Sequence, residues 1–341
     1  MQLLRWLLFP FTILYTCIIW LRNKLYDWAI FKTKEFPVAS IVIGNLAIGG
    51  AGKSPLTQKL IGYFKERYQV ATLSRGYGRK TKGFRLVQTT DTAYLVGDEP
   101  LQFKKNYPEI TVAVNENRAE GIETLQQDHN LILLDDAYQH RKIKAKCNIL
   151  VFDYQSIINP IVLLPTGNFR DTFNQTKRAD CFLISKCPDL IPEDKKQLIV
   201  KKLRKYSQAP VYYSRITYLN LVNLRTKQTD NIIQSATDVL LLTGIANPSP
   251  LIKYVQDMFN KVEHIKYPDH HDFKPTDYQK IKEQYNNIPS EIKIILTTEK
   301  DAQRIDLTQL GNIPLYYIPI DIAIDQEAQF LELIENIVNE P

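Results

Sequence analysis

An α/β fold is what this chain predicts: a parallel-sheet lobe, a second and smaller α/β lobe, and an apolar helix at the N-terminus. Three observations carry that expectation. Short apolar runs alternate with stretches of helical pattern along most of the 341 residues, the signature of βαβ units around a parallel sheet. One of the first of these runs passes into a glycine-rich turn ending Gly52-Lys53-Ser54. Residues 6–21 carry no charge, with Arg5 before them and Arg22 and Lys24 after.

The uncharged run comes first in the chain and includes Leu7, Leu8, Phe9, Phe11, Ile13, Leu14, Ile18, Ile19 and Trp20. A bilayer-spanning helix takes about 20 apolar residues; this run falls short of that, and Pro10 disturbs its first half. No small-x-small cleavage site follows before Arg22, as a secretory signal would require. Aromatics at both ends and basic flanks predict a membrane-associated helix over residues 1–25, lying in or dipping into the bilayer with its body on the positive side. A core helix and a single span are the alternatives.

Strands are expected at 38–43, 70–73, 93–96, 111–114, 131–134, 148–152 and 181–184, with helices at 55–67 and 117–127 among them. These place one lobe at 26–209. Residues 211–218 and 219–224, rich in Tyr and Val, read as two extended strands in a connector over 210–230. A second α/β series fills 231–341, with strands at 239–242, 262–266, 292–296 and 315–318. Its helices are expected at 248–259, 276–285 and from 326 onward.

The glycine-rich turn makes the first lobe P-loop NTPase-like. Ala47, Ile48, Gly49, Gly50, Ala51, Gly52, Lys53 and Ser54 follow an apolar strand. Small residues let the backbone curl so that successive N–H groups point at phosphate oxygens. Lys53 can reach the β and γ phosphates, and the Ser54 hydroxyl can hold Mg²⁺. The helix that follows adds its positive N-terminal end. The strict pattern asks for Gly where this chain has Ala47. A second acidic element is present: the run 131–134 ends in Asp135-Asp136, carboxylates placed to orient Mg²⁺.

Net charge is +6 with pI near 8.9, which suits anionic ligands or an anionic membrane surface. Dense basic runs of the kind that bind nucleic acid are absent from the sequence. The four cysteines are scattered with no CxxC pair, which argues against a zinc site and fits a reduced compartment.

Loops at the carboxyl ends of parallel strands form the ligand crevice, and three of them carry chemistry. Ser74-Arg75-Gly76-Tyr77-Gly78-Arg79-Lys80 is cationic and flexible. Gly97-Asp98-Glu99-Pro100 presents Asp98 at a tight turn. Tyr267-Pro268-Asp269-His270-His271-Asp272-Phe273 brings two histidines into the second lobe.

The chain closely resembles the tetraacyldisaccharide 4′-kinase family of lipid A biosynthesis. The matching segments are 42–46 with 49–55, 73–78, 97–100, 133–140 and 163–170, then 243–248, 268–271 and 298–301. They run in family order across nearly the whole chain. Ala47 falls where the family itself lacks the strict glycine, and Ala137-Tyr138 replaces the more usual Gly-Phe.

The resemblance implies ATP with Mg²⁺, and transfer of the γ-phosphoryl group to the 4′-hydroxyl of a lipid A disaccharide 1-phosphate. It further implies a peripheral or monotopic place on the cytoplasmic face of the bacterial inner membrane, with no nucleic acid and no obligate protein partner. Asp98 and His270 would form the dyad that activates the sugar hydroxyl. Ser54 and Asp135 or Asp136 would hold the metal. Arg75, Asn117, Arg118, Gln139 and His140 are candidates for substrate contact.

Two other classes fit the sequence less well. A GTPase-like switch would carry Asn-Lys-x-Asp or Thr-Lys-x-Asp; Ser185-Lys186-Cys187-Pro188-Asp189 has the wrong spacing and Thr298-Glu299-Lys300-Asp301 the wrong order. A metal-dependent phosphoesterase around Asp269-His270-His271 would need more clustered ligands than five histidines in the whole chain allow.

Overall fold

The computed structural model describes residues 5–229, 232 and 234–340. Positions 1–4 of the expected N-terminal helix and position 230 of the expected connector lie outside the described residues.

Nine strands form the larger sheet. Seven of them are β1 (Ala39–Gly44), β2 (Val70–Ser74), β3 (Thr111–Val114), β4 (Leu131–Asp135), β5 (Cys147–Asp153), β6 (Cys181–Ser185) and β7 (Val211–Tyr218). These seven run parallel, in the order β7-β6-β5-β1-β4-β2-β3. The antiparallel strand Arg85–Leu86 closes the β3 edge, and a C-terminal strand closes the other. Leu131, Ile132, Leu133 and Leu134 are all fully buried, because helices cover both faces and leave no polar side to alternate with.

Helix α2 (Lys53–Phe64) lies on one face through Leu56, Leu60, Ile61 and Phe64. Helices α4 (Arg118–Leu125) and α5 (Glu193–Arg204) cover the other face, through Ile122, Leu125, Ile199 and Leu203. Between β2 and β3 stands α3 (Asp98–Asn106).

The smaller sheet runs from a short strand at Val222–Asn223 through β11 (Leu315–Ile318), β10 (Lys293–Thr298) and β8 (Asp238–Thr243) to β9 (Lys261–Lys266). Helix α6 (Ser249–Met258) packs on one face through Leu251 and Val255. Helix α7 (Pro275–Asn287) packs on the other through Tyr278, Ile281 and Tyr285. A single helical turn, α8 (Glu299–Ala302), follows β10.

Three expectations change. Residues 93–96 form a helical turn rather than a strand, ended by Gly97 at φ 92°. Arg85–Leu86 already takes the sheet edge beside β3, and of the four residues only Val96 is buried. The run 211–218 does more than connect lobes, since β7 pairs with β6 on one side and with β12 (Ile320–Ile324) on the other. Of the run 219–224, only Val222–Asn223 is a strand. The C-terminal elements β12 and α9 (Glu327–Asn339) return to the larger lobe, with Ile322, Phe330 and Ile334 in its core. The chain thus crosses between lobes twice, side by side, where Leu219 N–H donates to the Pro319 carbonyl at 3.0 Å.

Helix α1 (Phe9–Asp27) holds Pro10 in its first turn, where a proline lacks no intrahelical bond, so the helix is not disturbed there. Its polarity is inverted. Thr12 and Asn23 are buried, while Phe9, Phe11, Ile13, Leu14, Ile18, Trp20 and Leu21 are exposed. Thr12 donates to Thr166 Oγ1 (2.8 Å), Tyr15 to the Arg170 carbonyl (2.8 Å), and Asn23 to Asp171 (2.7 Å). Among the described residues no helix is long and apolar enough to cross a membrane.

Candidate phosphate-transfer site

The glycine-rich loop leaves β1 at Gly44 and enters α2 at Lys53. A Cβ at Gly44 would sit 2.4 Å from Tyr138 Cβ, so only glycine lets the strand end lie against the segment that follows Asp136. Gly52 caps α2 in the left-handed region, φ 82°. The end of β6 steadies the loop from outside: Ser185 Oγ donates to the Ala51 carbonyl at 2.7 Å. Lys186 bonds the Gly50 carbonyl and pairs with Asp153 at 3.3 Å.

Lys53 Nζ stands 3.3 Å from Asn45 Oδ1 and 3.6 Å from Asp136 Oδ1, a cation held ready over the loop. Asp135 ends β4 fully buried and accepts from Thr57 Oγ1 at 3.3 Å. Burial pushes its carboxyl up to about 7, against the pull of Lys53. Asp136 is pushed up by burial as well, but the Lys53 charge and a bond from Arg170 outweigh that and lower it. Arg170 also donates to Asn45 Oδ1 at 2.5 Å, tying Asp136 to the root of the loop.

The sequence-predicted substrate residues distribute around this core. Gln139 donates to the Asn45 carbonyl at 2.7 Å, and its own carbonyl accepts from Arg22 of α1. Burial drives His140 down to about 4, a neutral imidazole whose Nε2 has no partner. Arg118 is buried at the start of α4 and donates to the Asn115 carbonyl at 2.7 Å. Desolvation lowers it to about 10, partly countered by Asp135 and Asp136. Asn117 caps α4 and donates its backbone N–H to Asn115 Oδ1 at 2.9 Å. Arg75 is exposed, near enough to Arg118 for their charges to oppose one another.

Asp98 and His270 meet across the lobes. His270 Nδ1 lies 2.7 Å from Asp98 Oδ2. Asp98 opens α3 and is fully buried; burial raises its carboxyl, but bonds from His270 and Arg304 more than compensate and hold it low. Glu99, the next residue, is among the charges that raise the Asp135 carboxyl. His271 turns into its own lobe, 2.9 Å from Asp277 and stacked on Tyr267.

Sequence reasoning gave no role to Asn45, Arg170, Lys186, Lys300 or Arg304. Asn45, Arg170 and Lys300 sit within the family-matching segments. No local pattern marks Arg304.

A profile of the family described as tetraacyldisaccharide-1-P 4′-kinase matches residues 4–339. The "Tetraacyldisaccharide 4′-kinase" of Flavobacterium psychrophilum is 41% identical, with 99% of this chain and 98% of that protein covered. The protein of the same name from Bacteroides thetaiotaomicron is 38% identical, covering 95% and 90%. Among solved structures, the "apo" form of LpxK from Aquifex aeolicus in complex with ATP superposes with a TM-score of 0.75 at 28% identity, covering 98% of this chain and 99% of that one. With motifs, fold and full-length relatives in agreement, this chain belongs to the tetraacyldisaccharide 4′-kinase family.

Proposed function

We propose that this chain transfers the γ-phosphoryl group of ATP to the 4′-hydroxyl of a tetraacyldisaccharide 1-phosphate, the lipid A precursor. The observation that supports the reading is the Asp98–His270 contact, a carboxylate–imidazole pair assembled from two lobes, one of which carries Lys53 and its glycine-rich loop. The sugar hydroxyl gives its proton to His270 Nε2 while its oxygen attacks the γ-phosphorus. The bond to the bridging oxygen breaks and ADP leaves with that electron pair. Asp98 keeps the imidazole oriented and balances the positive charge it acquires. Lys53 and the loop N–H groups neutralise the phosphates, and the rest is positioning.

Ser54 and buried Asp135 would supply the hard oxygen donors that Mg²⁺ takes, with Asp136 following Asp135 in the chain. When bound, the ion would supply charge neutralisation on the phosphates. Arg75, Asn117, Arg118, Gln139 and His140 are the residues to test for contact with the anionic disaccharide.

The inverted polarity of α1 supports a place on the inner membrane's cytoplasmic face. A helix that buries Thr12 and Asn23 and turns Phe11, Leu14 and Ile18 outward suits an apolar surface beyond the protein. The acyl chains would then stay in the bilayer while the sugar reaches the cleft. Purified protein with Mg-ATP and tetraacyldisaccharide 1-phosphate should yield a bis-phosphorylated lipid. Absence of that product from folded, ATP-binding protein overturns the reading.

A further inference from the structure

Asp98 receives two side chains from the second lobe, His270 and Arg304, and Arg304 comes with Lys300 from the turn after β10. Arg304 Nε donates to Asp98 Oδ1 at 2.5 Å, and its Nη2 bonds Oδ2, a fork-on-fork pairing across the lobes. The guanidinium and the carboxylate are both withdrawn from solvent, with side-chain exposures of 9% and 1%. From the same turn, Lys300 Nζ stands 3.0 Å from His270 Nε2 and pairs with Asp269 at 3.3 Å and Glu99 at 3.7 Å.

These contacts fix the imidazole's tautomer. An ammonium only donates, so Nε2 facing Lys300 must carry the lone pair. The ring proton then sits on Nδ1 and is donated to Asp98. The alternative, in which Nδ1 accepts from Arg304 Nη2 at 2.8 Å, would turn an Nε2–H toward the ammonium, donor against donor.

Near the pair the seam also holds a polar contact, Asn106 of α3 donating to Glu299 Oε1 at 2.7 Å, beside the Tyr77 ring 5.0 Å from His270. Parting it there exposes several hydrogen-bonding groups. A seam of this kind can part and reclose as ligands exchange.

We propose that Arg304, with Lys300, is a positioning residue for phosphoryl transfer: Arg304 docks the second lobe on Asp98, and Lys300 selects the tautomer that leaves His270 Nε2 as base. This rests on the function proposed above. Lys300 caps Nε2 in the absence of ligand and gives way when the hydroxyl arrives, its ammonium staying paired with Asp269 and Glu99.

The test is steady-state kinetics with Mg-ATP and tetraacyldisaccharide 1-phosphate on wild type, Arg304→Ala, Arg304→Lys and Asp98→Ala/Arg304→Ala. Arg304→Ala should lower kcat about 10- to 100-fold, part of the usual general-base contribution, with KM for ATP within twofold. Added guanidinium should restore part of the loss. Arg304→Lys should fall between, because an ammonium cannot make the paired bonds. The double variant should be no slower than Asp98→Ala alone. Wild-type kcat in Arg304→Ala, or a loss that multiplies fully with Asp98→Ala, overturns the proposal. If Arg304→Ala fails to fold, Arg304→Lys decides by the same KM-against-kcat split: a loss in KM alone overturns it. An inactive wild type would instead refute the proposed function.

Discussion

Replacing either member of the Asp98–His270 pair should cost similar amounts of rate but very different amounts of stability. If the two act as one unit, Asp98→Ala and His270→Ala each lower kcat by about 10²–10⁴-fold, and the double variant is little worse than either. Stability separates them. Asp98→Ala strands the Arg304 guanidinium, only 9% exposed, without its carboxylate. Breaking a buried pair from one side costs about 3–5 kcal/mol. His270→Ala removes a ring whose side chain is 20% exposed and leaves Asp98 still bonded by Arg304. That loss is about 1.5–3 kcal/mol, the range for one hydrogen bond to a charged group. His271→Ala should hardly change kcat, since that ring bonds Asp277 within the second lobe. Product formation by steady-state kinetics and urea unfolding of the variants measure both quantities. Fully multiplicative kcat losses, or His270→Ala destabilising as much as Asp98→Ala, would refute the reasoning.

Three further outcomes follow from the site and the helix. Lys53→Ala should lower kcat by about 10²–10³-fold, the scale for removing one preorganised transition-state contact, with the unfolding transition little moved; near wild-type turnover would contradict the phosphate-loop role. In chelator, Asp135→Asn should be more stable than wild type, and more so at pH 8 than at pH 6. The folded carboxyl titrates near 7 and the unfolded one near 3.8, so the folded state binds the extra proton and wild-type stability falls as pH rises through that window; a gain that does not grow with pH excludes the cause. Phe11→Ser, Leu14→Ser and Ile18→Ser together, all on exposed positions of α1, should move the protein from the membrane to the soluble fraction and raise KM for vesicle-embedded substrate while sparing ATP binding. Each buried apolar side chain is worth about 1.5–3 kcal/mol, so unchanged fractionation would show that α1 is not the anchor.

What the sequence made legible is what depends on neighbours in the chain. β3 and β11 occupy the predicted residues, and most other strands differ only at their ends, because a strand buried on both faces must be apolar throughout. The glycine-rich turn between β1 and α2 is equally local, since its glycines and Lys53 follow one another within a few residues. Residues 93–96 were misread because a four-residue apolar run has no period to tell helix from strand. The role of 211–218 was hidden for a different reason. Its partner Ile320–Ile324 lies more than a hundred positions on, and nothing in either segment announces the pairing. Arg304 was invisible in the same way, because its meaning depends wholly on Asp98 in the other lobe.

Helix α1 joins the two kinds of information. Read along the chain, Thr12 and Tyr15 look like interruptions of an apolar stretch, and Asn23 lies beyond its basic edge at Arg22. In the fold they are its docking face, and the apolar residues are what remain outside. The segment they grip, around Thr166, Arg170 and Asp171, is the one that supplies the guanidinium to Asp136 and Asn45. Tyr15 holds the Arg170 carbonyl while the same residue's side chain holds the root of the phosphate loop. Arg22 likewise reaches the Gln139 carbonyl, and Gln139 donates to Asn45. Two short hydrogen-bonded paths therefore run from the outward-facing helix to Asn45, the residue beside Lys53. An acylated substrate resting against α1 would present its sugar to a loop whose position is set by that same helix. The polar residues within the apolar run are thus what tie the apolar surface to the chemistry.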